Sequence, residues 1–338
     1  MQPSEKNTLT IFYEMPLHTP RKRDDMIPFE GIDPQTASSH GASTPYNAAS
    51  FAQIRVTEAW QKYDSVLTWG ENQCLAILDD GCDLNDPAWQ VAGKVTATWN
   101  SIDGNEDCAP LPPGYHGTSV GYPSSINLDG TRGLAYRNRV AQVRCITVVH
   151  LRQDESQTIA AGLRWVADNA ERLNITAVNL SALDDKEHQA PVPTAIDAEL
   201  QTLRQMQIWV SAPTGNNNHT QGISWPACQP YCFGIGATIP GQHAVHLDRY
   251  HGIDLLVCAR ATSSSNAYAA ASAQVLREAI KKSNCDWQAY GPTIPDAILA
   301  IFQHTGDIVH DGATGLTFRE LDLLAALDEV FSAGGQTF

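Results

Sequence analysis

The chain has 338 residues, 43% hydrophobic and 17% charged, which excludes a disordered, collagen-like or membrane-spanning composition. Lys plus Arg is 22 and Asp plus Glu is 37, a formal net charge of −15. So acidic a chain binds phosphate backbones poorly, so nucleic acid is not an expected partner and basic ligands are weakly attracted.

Residues 1–50 read as an irregular arm rich in Pro, Ser, Thr, Asp and His, followed by one domain over residues 51–338. Arg21-Lys22-Arg23 in the arm reads as a solvated charge cluster. No apolar run approaches the roughly 20 residues that span a bilayer, so no membrane partner is expected. Met1 to Asp25 lacks the apolar stretch of a secretory signal. The expectation is a cytoplasmic chain, or one whose leader has been removed.

Beyond the arm, apolar runs alternate with amphipathic stretches. Cys74–Leu78, Val140–Val149, Ala177–Leu180, Ile208–Val210, Cys232–Ala237 and Ile253–Cys258 read as buried strands. Thr158–Leu173, Ala195–Met206 and the Ala-rich Ala267–Lys282 read as helices, as do Asp296–Phe302 and Leu321–Phe331. Alternating helices and fully apolar strands predict an α/β fold with a mostly parallel sheet covered on both faces. In such sheets active groups gather at the carboxyl ends of the strands. The eight cysteines are expected to be reduced thiols; around Cys228 and Cys232 nothing has zinc-ligand spacing, and no metal site is expected there.

Four features fall at strand ends or a helix start: Asp79-Asp80-Gly81, His116-Gly117-Thr118, Gly215-Asn216 and Thr262-Ser263-Ser264. Acyl transfer at neutral pH calls for these residue types. A serine hydroxyl needs an imidazole to take its proton, and the imidazole needs an acceptor on its other nitrogen. The oxyanion needs preorganised donors, such as a helix N-terminal N–H and a side-chain amide.

The order Asp…His…Ser with these neighbours resembles the subtilisin-like serine proteases. Ala76-Ile77-Leu78-Asp79-Asp80-Gly81 is similar to that family's apolar strand ending in Asp-Thr-Gly or Asp-Ser-Gly. His116-Gly117-Thr118, Gly133-Leu134-Ala135 with Val143-Arg144, Val178-Asn179-Leu180-Ser181, Gly215-Asn216, Trp225-Pro226-Ala227 with Gly234-Ile235-Gly236-Ala237, and Ala261-Thr262-Ser263 follow in the family's order. The resemblance implies a three-layer subtilisin-like α/β fold and a serine endopeptidase acting on peptides or proteins. It implies Asp79, His116 and Ser263 as the triad and Asn216 as the oxyanion amide. Substrate contacts are implied at Ser181, Ala182, Asp184, Asp185 and Gly215.

Asp80 and the Asp184-Asp185 pair resemble the kexin and furin branch, which implies recognition of basic residues. Calcium is possible at the loop holding Asn127, Asp129 and Thr131, although Ala88 removes a helpful carboxylate. Ala261-Thr262-Ser263-Ser264-Ser265-Asn266-Ala267 departs from the family's Gly-Thr-Ser-Met-Ala-Thr-Pro, leaving Ser264 and Ser265 as alternative nucleophiles. Two other functions use the same scaffold: a peptide-maturation ligase or macrocyclase with the same triad, and a non-catalytic peptide-binding protein.

Overall fold

The computed structural model describes residues 48–112, 114–128, 130–151 and 153–336. The basic run of the arm and Asp129 lie outside them. The first described helix, α1 (Ala48–Gln53), starts slightly ahead of the expected end of the arm and buries Phe51 against Trp60 and Tyr268. Then come α2 (Val56–Tyr63), β1 (Cys74–Asp79), β2 (Val95–Asn100), α3 (His116–Val120), α4 (Tyr122–Ser125), β3 (Asn127–Leu128), β4 (Thr131–Arg132), β5 (Arg139–Arg144) and α5 (Ser156–Leu173). The chain continues through β6 (Ile175–Leu180), α6 (Asp197–Gln205), β7 (Trp209–Pro213), β8 (Phe233–Thr238), β9 (Val245–His246), β10 (Leu255–Cys258) and α7 (Thr262–Ser283). It closes with α8 (Ile294–Thr305), β11 (Asp307–His310), β12 (Thr317–Glu320) and α9 (Leu323–Ala333).

Ten strands form one sheet in the order β11-β12-β10-β8-β7-β6-β1-β5-β2, with β9 added to β8. Only the β11–β12 and β8–β9 pairings in it are antiparallel. The central strand β1 is buried throughout, and its side chains alternate between two cores. Leu75 and Ile77 join α2, α7 and α9 on one face; Cys74, Ala76 and Leu78 join α5 and α6 on the other. Each fully buried Leu or Ile contributes about 1.5–3 kcal/mol. Continuing that alternation, Asp79 belongs to the α7 face.

Helix α7 runs through the middle of the larger core. Its row of alanines lets it lie close to the sheet, and several of its buried polar groups are paired across it. Gln274 accepts from Asn138 Nδ2 at 2.9 Å, and Asn266 Nδ2 donates to the Ser211 carbonyl at 3.1 Å, whereas Asn266 Oδ1 and Ser272 Oγ are buried without a hydrogen bond among the described residues. The helix begins at Thr262 rather than at Ala267, which brings Ser263 into its first turn. Strand β5 also differs from expectation, ending at Arg144 rather than Val149. Its neighbour β1 stops at Asp79, whose carbonyl takes the Cys145 N–H at 3.0 Å, and the ladder runs out. No disulfide joins any of the eight cysteines. No described helix is long and apolar enough to cross a membrane.

Candidate active site

The features expected to carry chemistry gather beyond the carboxyl ends of β1, β6 and β7. Asp79 is the last residue of β1 and is 1% exposed. His116 opens α3, which packs against β1; its Nδ1 lies 2.7 Å from Asp79 Oδ2 and 2.9 Å from Oδ1. A carboxylate can only accept, so Nδ1 carries the proton and Nε2 is left as the basic nitrogen. The approach is close because Gly117 sits against the Gly81 carbonyl and the Asp79 Cβ, where a side chain would collide.

Burial pushes the Asp79 carboxyl well above the usual range, against the Asp80 N–H that donates to it. Burial also draws His116 down to about 4; the Asp80 charge opposes this, and the nearby His150 reinforces it. The lowering of His116 keeps the imidazole neutral, the form that accepts a proton.

Register places Ser263 on the same edge. Leu78 pairs with Leu180 and Asn179 with Ser211, so β1, β6 and β7 end together. Asn266 Nδ2 reaches the carbonyls of Leu180 and Ser211 there. Ser263 lies one helical turn before Asn266, hence on the same side of α7.

The first turn of α7 is capped from outside. Asn216 Oδ1 accepts from the Thr262 N–H at 3.0 Å and the Thr262 hydroxyl at 2.9 Å. The N–H can only donate, so the amide orientation is fixed, with Oδ1 and not Nδ2 bound to Thr262. The Ala261 carbonyl takes the N–H groups of Ser264 and Ser265. Among the described residues, the Ser263 N–H and Asn216 Nδ2 make no hydrogen bond. The Ser263 N–H thus stands open in the first turn of a 22-residue helix, at its positive end, and Asn216, held to the neighbouring Thr262, keeps Nδ2 as an open donor. Of the alternative serines, Ser265 is committed by its 2.8 Å bond to the Val257 carbonyl. Ser264 is buried, its N–H engaged by Ala261.

The residues expected at the substrate wall continue from β6. Ser181 and Ala182 are buried, and the Ser181 N–H is held by the Leu78 carbonyl. Asp184 accepts from Ser224 Oγ and the Trp225 N–H, both at 3.0 Å, and lies 2.7 Å from His188 Nε2. Asp185 lies 2.7 Å from His150 Nδ1 and accepts from Asn217 Nδ2 at 2.9 Å. Burial alone would raise the Asp185 carboxyl, but the His150 bond and charge outweigh it and hold it below the ordinary value. Gly215 has φ 117°, and any side chain there would strike Asp248.

His150 and Asp248 were not expected from the sequence, and Asp80 was singled out there only for its kexin- and furin-like resemblance, not for its bonds to His116 and Gly117. Asp248 is fully buried and accepts from Asn217 N–H at 2.7 Å and His219 N–H at 2.9 Å, so it shapes the loop carrying Asn216. Each lies far in sequence from what it holds, or beside a residue with a stronger signal. At the loop proposed for calcium, Asn127 and Thr131 form the short β3–β4 ladder.

No protein-family profile matches the chain, and no curated protein matches it. Solved structures do. The MycP3 protease from the type VII (ESX-3) secretion system is 17% identical with a TM-score of 0.61, covering 82% of this chain and 87% of that one. The prenylagaramide maturation protease PagA is 16% identical with a TM-score of 0.61, covering 81% and 98%. A protease from Pseudoalteromonas arctica PAMC 21717 is 14% identical with a TM-score of 0.64, covering 82% and 94%. The fold is subtilisin-like. Its layers and mostly parallel sheet with helices on both faces are those expected from the sequence; at these identities the likeness is one of fold.

Proposed function

We propose that the chain is a serine peptidase that cleaves peptide bonds through Asp79, His116 and Ser263. The observation that carries this reading is the buried Asp79–His116 pair, with the imidazole Nδ1 against both carboxylate oxygens. Ser263 Oγ attacks the scissile carbonyl as His116 Nε2 takes its proton. His116 then protonates the leaving amine, and water, activated the same way, releases the acyl group. The Ser263 N–H and Asn216 Nδ2 hold the oxyanion, for which both donors are open.

A fluorophosphonate probe followed by peptide mapping tests the reading. The expected result is a single adduct on Ser263. No adduct, or one on Ser264, removes it. Asn216→Ala should lower kcat by roughly 10²–10³-fold with little change in KM, because the amide acts on charge that develops only in the transition state. Equal losses in substrate affinity and turnover would instead mark Asn216 as a cap of α7 alone.

Specificity for basic residues draws no support from Asp184 and Asp185. Their carboxylates are engaged by His188, Ser224, His150 and Asn217. Freeing one for a substrate cation breaks bonds that already satisfy it. We expect peptides cleaved after Arg to show no higher kcat/KM than those cleaved after Phe.

A further inference from the structure

We infer that Asp80 is a positioning residue for His116, holding the start of α3 so that the imidazole stays against Asp79; this rests on the reading above. The Asp80 carboxylate is 3% exposed and lies under the first turn of α3. Its Oδ2 accepts the backbone N–H of His116 itself at 3.3 Å, and its Oδ1 accepts that of Gly117 at 2.8 Å. Helix α3 has only five residues and receives no side-chain cap bond from Tyr115, the residue before it. Without Asp80 these two buried N–H groups lose their acceptor.

The same residue also orients the carboxylate. The Asp80 N–H donates to Asp79 Oδ1 at 2.7 Å. One peptide unit therefore fixes both members of the pair, its backbone aiming Asp79 and its side chain aiming His116. The surroundings leave little play. A Cβ on Gly114 would come within 3.0 Å of Asp80 Oδ2, and Gly117 packs on Gly81 and Asp79.

The titratable groups facing His116 among the described residues are Asp79 and Asp80 at the end of β1 and His150 after β5. Burial, and then the charge of Asp79, pushes the Asp80 carboxyl up to about 7, while His116 and the two N–H donors pull the other way. The ionised carboxylate is the stronger acceptor for both N–H groups. Protonation below about 7 leaves a neutral carboxyl whose O–H oxygen accepts only weakly, which loosens its hold on them.

The test is the second-order rate of fluorophosphonate labelling at Ser263 in the intact chain, followed across pH. In the wild type the rate should rise as His116 loses its proton, then again near pH 7 as Asp80 ionises. Asp80→Asn, close to isosteric, should label about 10²-fold more slowly at neutral pH and lack the upper step. Asp80→Ser offers an uncharged oxygen of the kind that caps helices and should label faster than Asp80→Ala. Should Asp80→Ala fail to fold, Asp80→Asn carries the comparison, since its thermal midpoint reports folding separately. An unchanged rate in Asp80→Asn, or a slow rate that keeps the wild-type pH profile, overturns the inference. Failure of the wild type to label at Ser263 overturns the peptidase reading instead, so the two outcomes are distinct.

Discussion

Ser263→Ala is expected to lower turnover by on the order of 10⁶-fold where chemistry limits the rate. The loss is large because the variant lacks the atom that forms the acyl-enzyme, and His116 then has no hydroxyl to activate. What remains comes from the oxyanion donors and substrate binding, which together sustain about 10³–10⁴-fold over water. Folding should be indifferent to the change. Ser263 sits in the first turn of α7, where alanine is a good helix former, and Asn216 and the Ala261 carbonyl do the capping. Peptide hydrolysis and a thermal melt on the same sample separate the two effects. A loss under about tenfold with an intact melt would place the nucleophile elsewhere. The hydroxyl of Ser265 is a poor substitute, because it is already spent on the Val257 carbonyl.

The legible parts of this molecule were those with dense local signals. Strand β1 could be read because five consecutive buried, apolar residues lead up to the carboxylate that ends it. Asp79, His116, Asn216 and Ser263 could be picked out because each follows a strand or begins a helix with a small neighbour beside it. The start of α7 was misjudged for a physical reason. Thr262, Ser263, Ser264, Ser265 and Asn266 are weak helix formers, and they become helical through Asn216, 46 residues earlier, and through the Ser265 bond to Val257. Strand β2 was missed because five of its six residues are only half-buried and it mixes Thr with apolar residues. Asp185 was singled out from a family resemblance, and sequence shows its charge but not its bonding partners. Its partners, His150 and Asn217, lie 35 and 32 residues away.

Asp79→Asn is expected to cost roughly 10⁴-fold in turnover, the scale seen when the carboxylate behind a catalytic histidine is replaced. The volume hardly changes, so packing is not the reason. The amide presents one acceptor oxygen and one donor nitrogen where Asp79 presents two acceptors. The oxygen is claimed by the Asp80 N–H, which donates to Oδ1 at 2.7 Å. The nitrogen then faces His116 Nδ1 and, being a donor, requires that ring atom to be unprotonated. The imidazole proton moves to Nε2, and the base can no longer accept from Ser263. Stability should move the other way. Asp79 has a folded-state pKa raised above its unfolded value, so its proton is held more tightly when folded. The stability this contributes is complete below the unfolded pKa and is lost as pH rises through the folded pKa. At alkaline pH the ionised, buried group is therefore a liability, and asparagine removes it. The thermal midpoint of Asp79→Asn should equal or exceed that of the wild type there, while hydrolysis collapses. Loss of both together would mean that Asp79 is a structural strand-end residue and that His116 is oriented by something else.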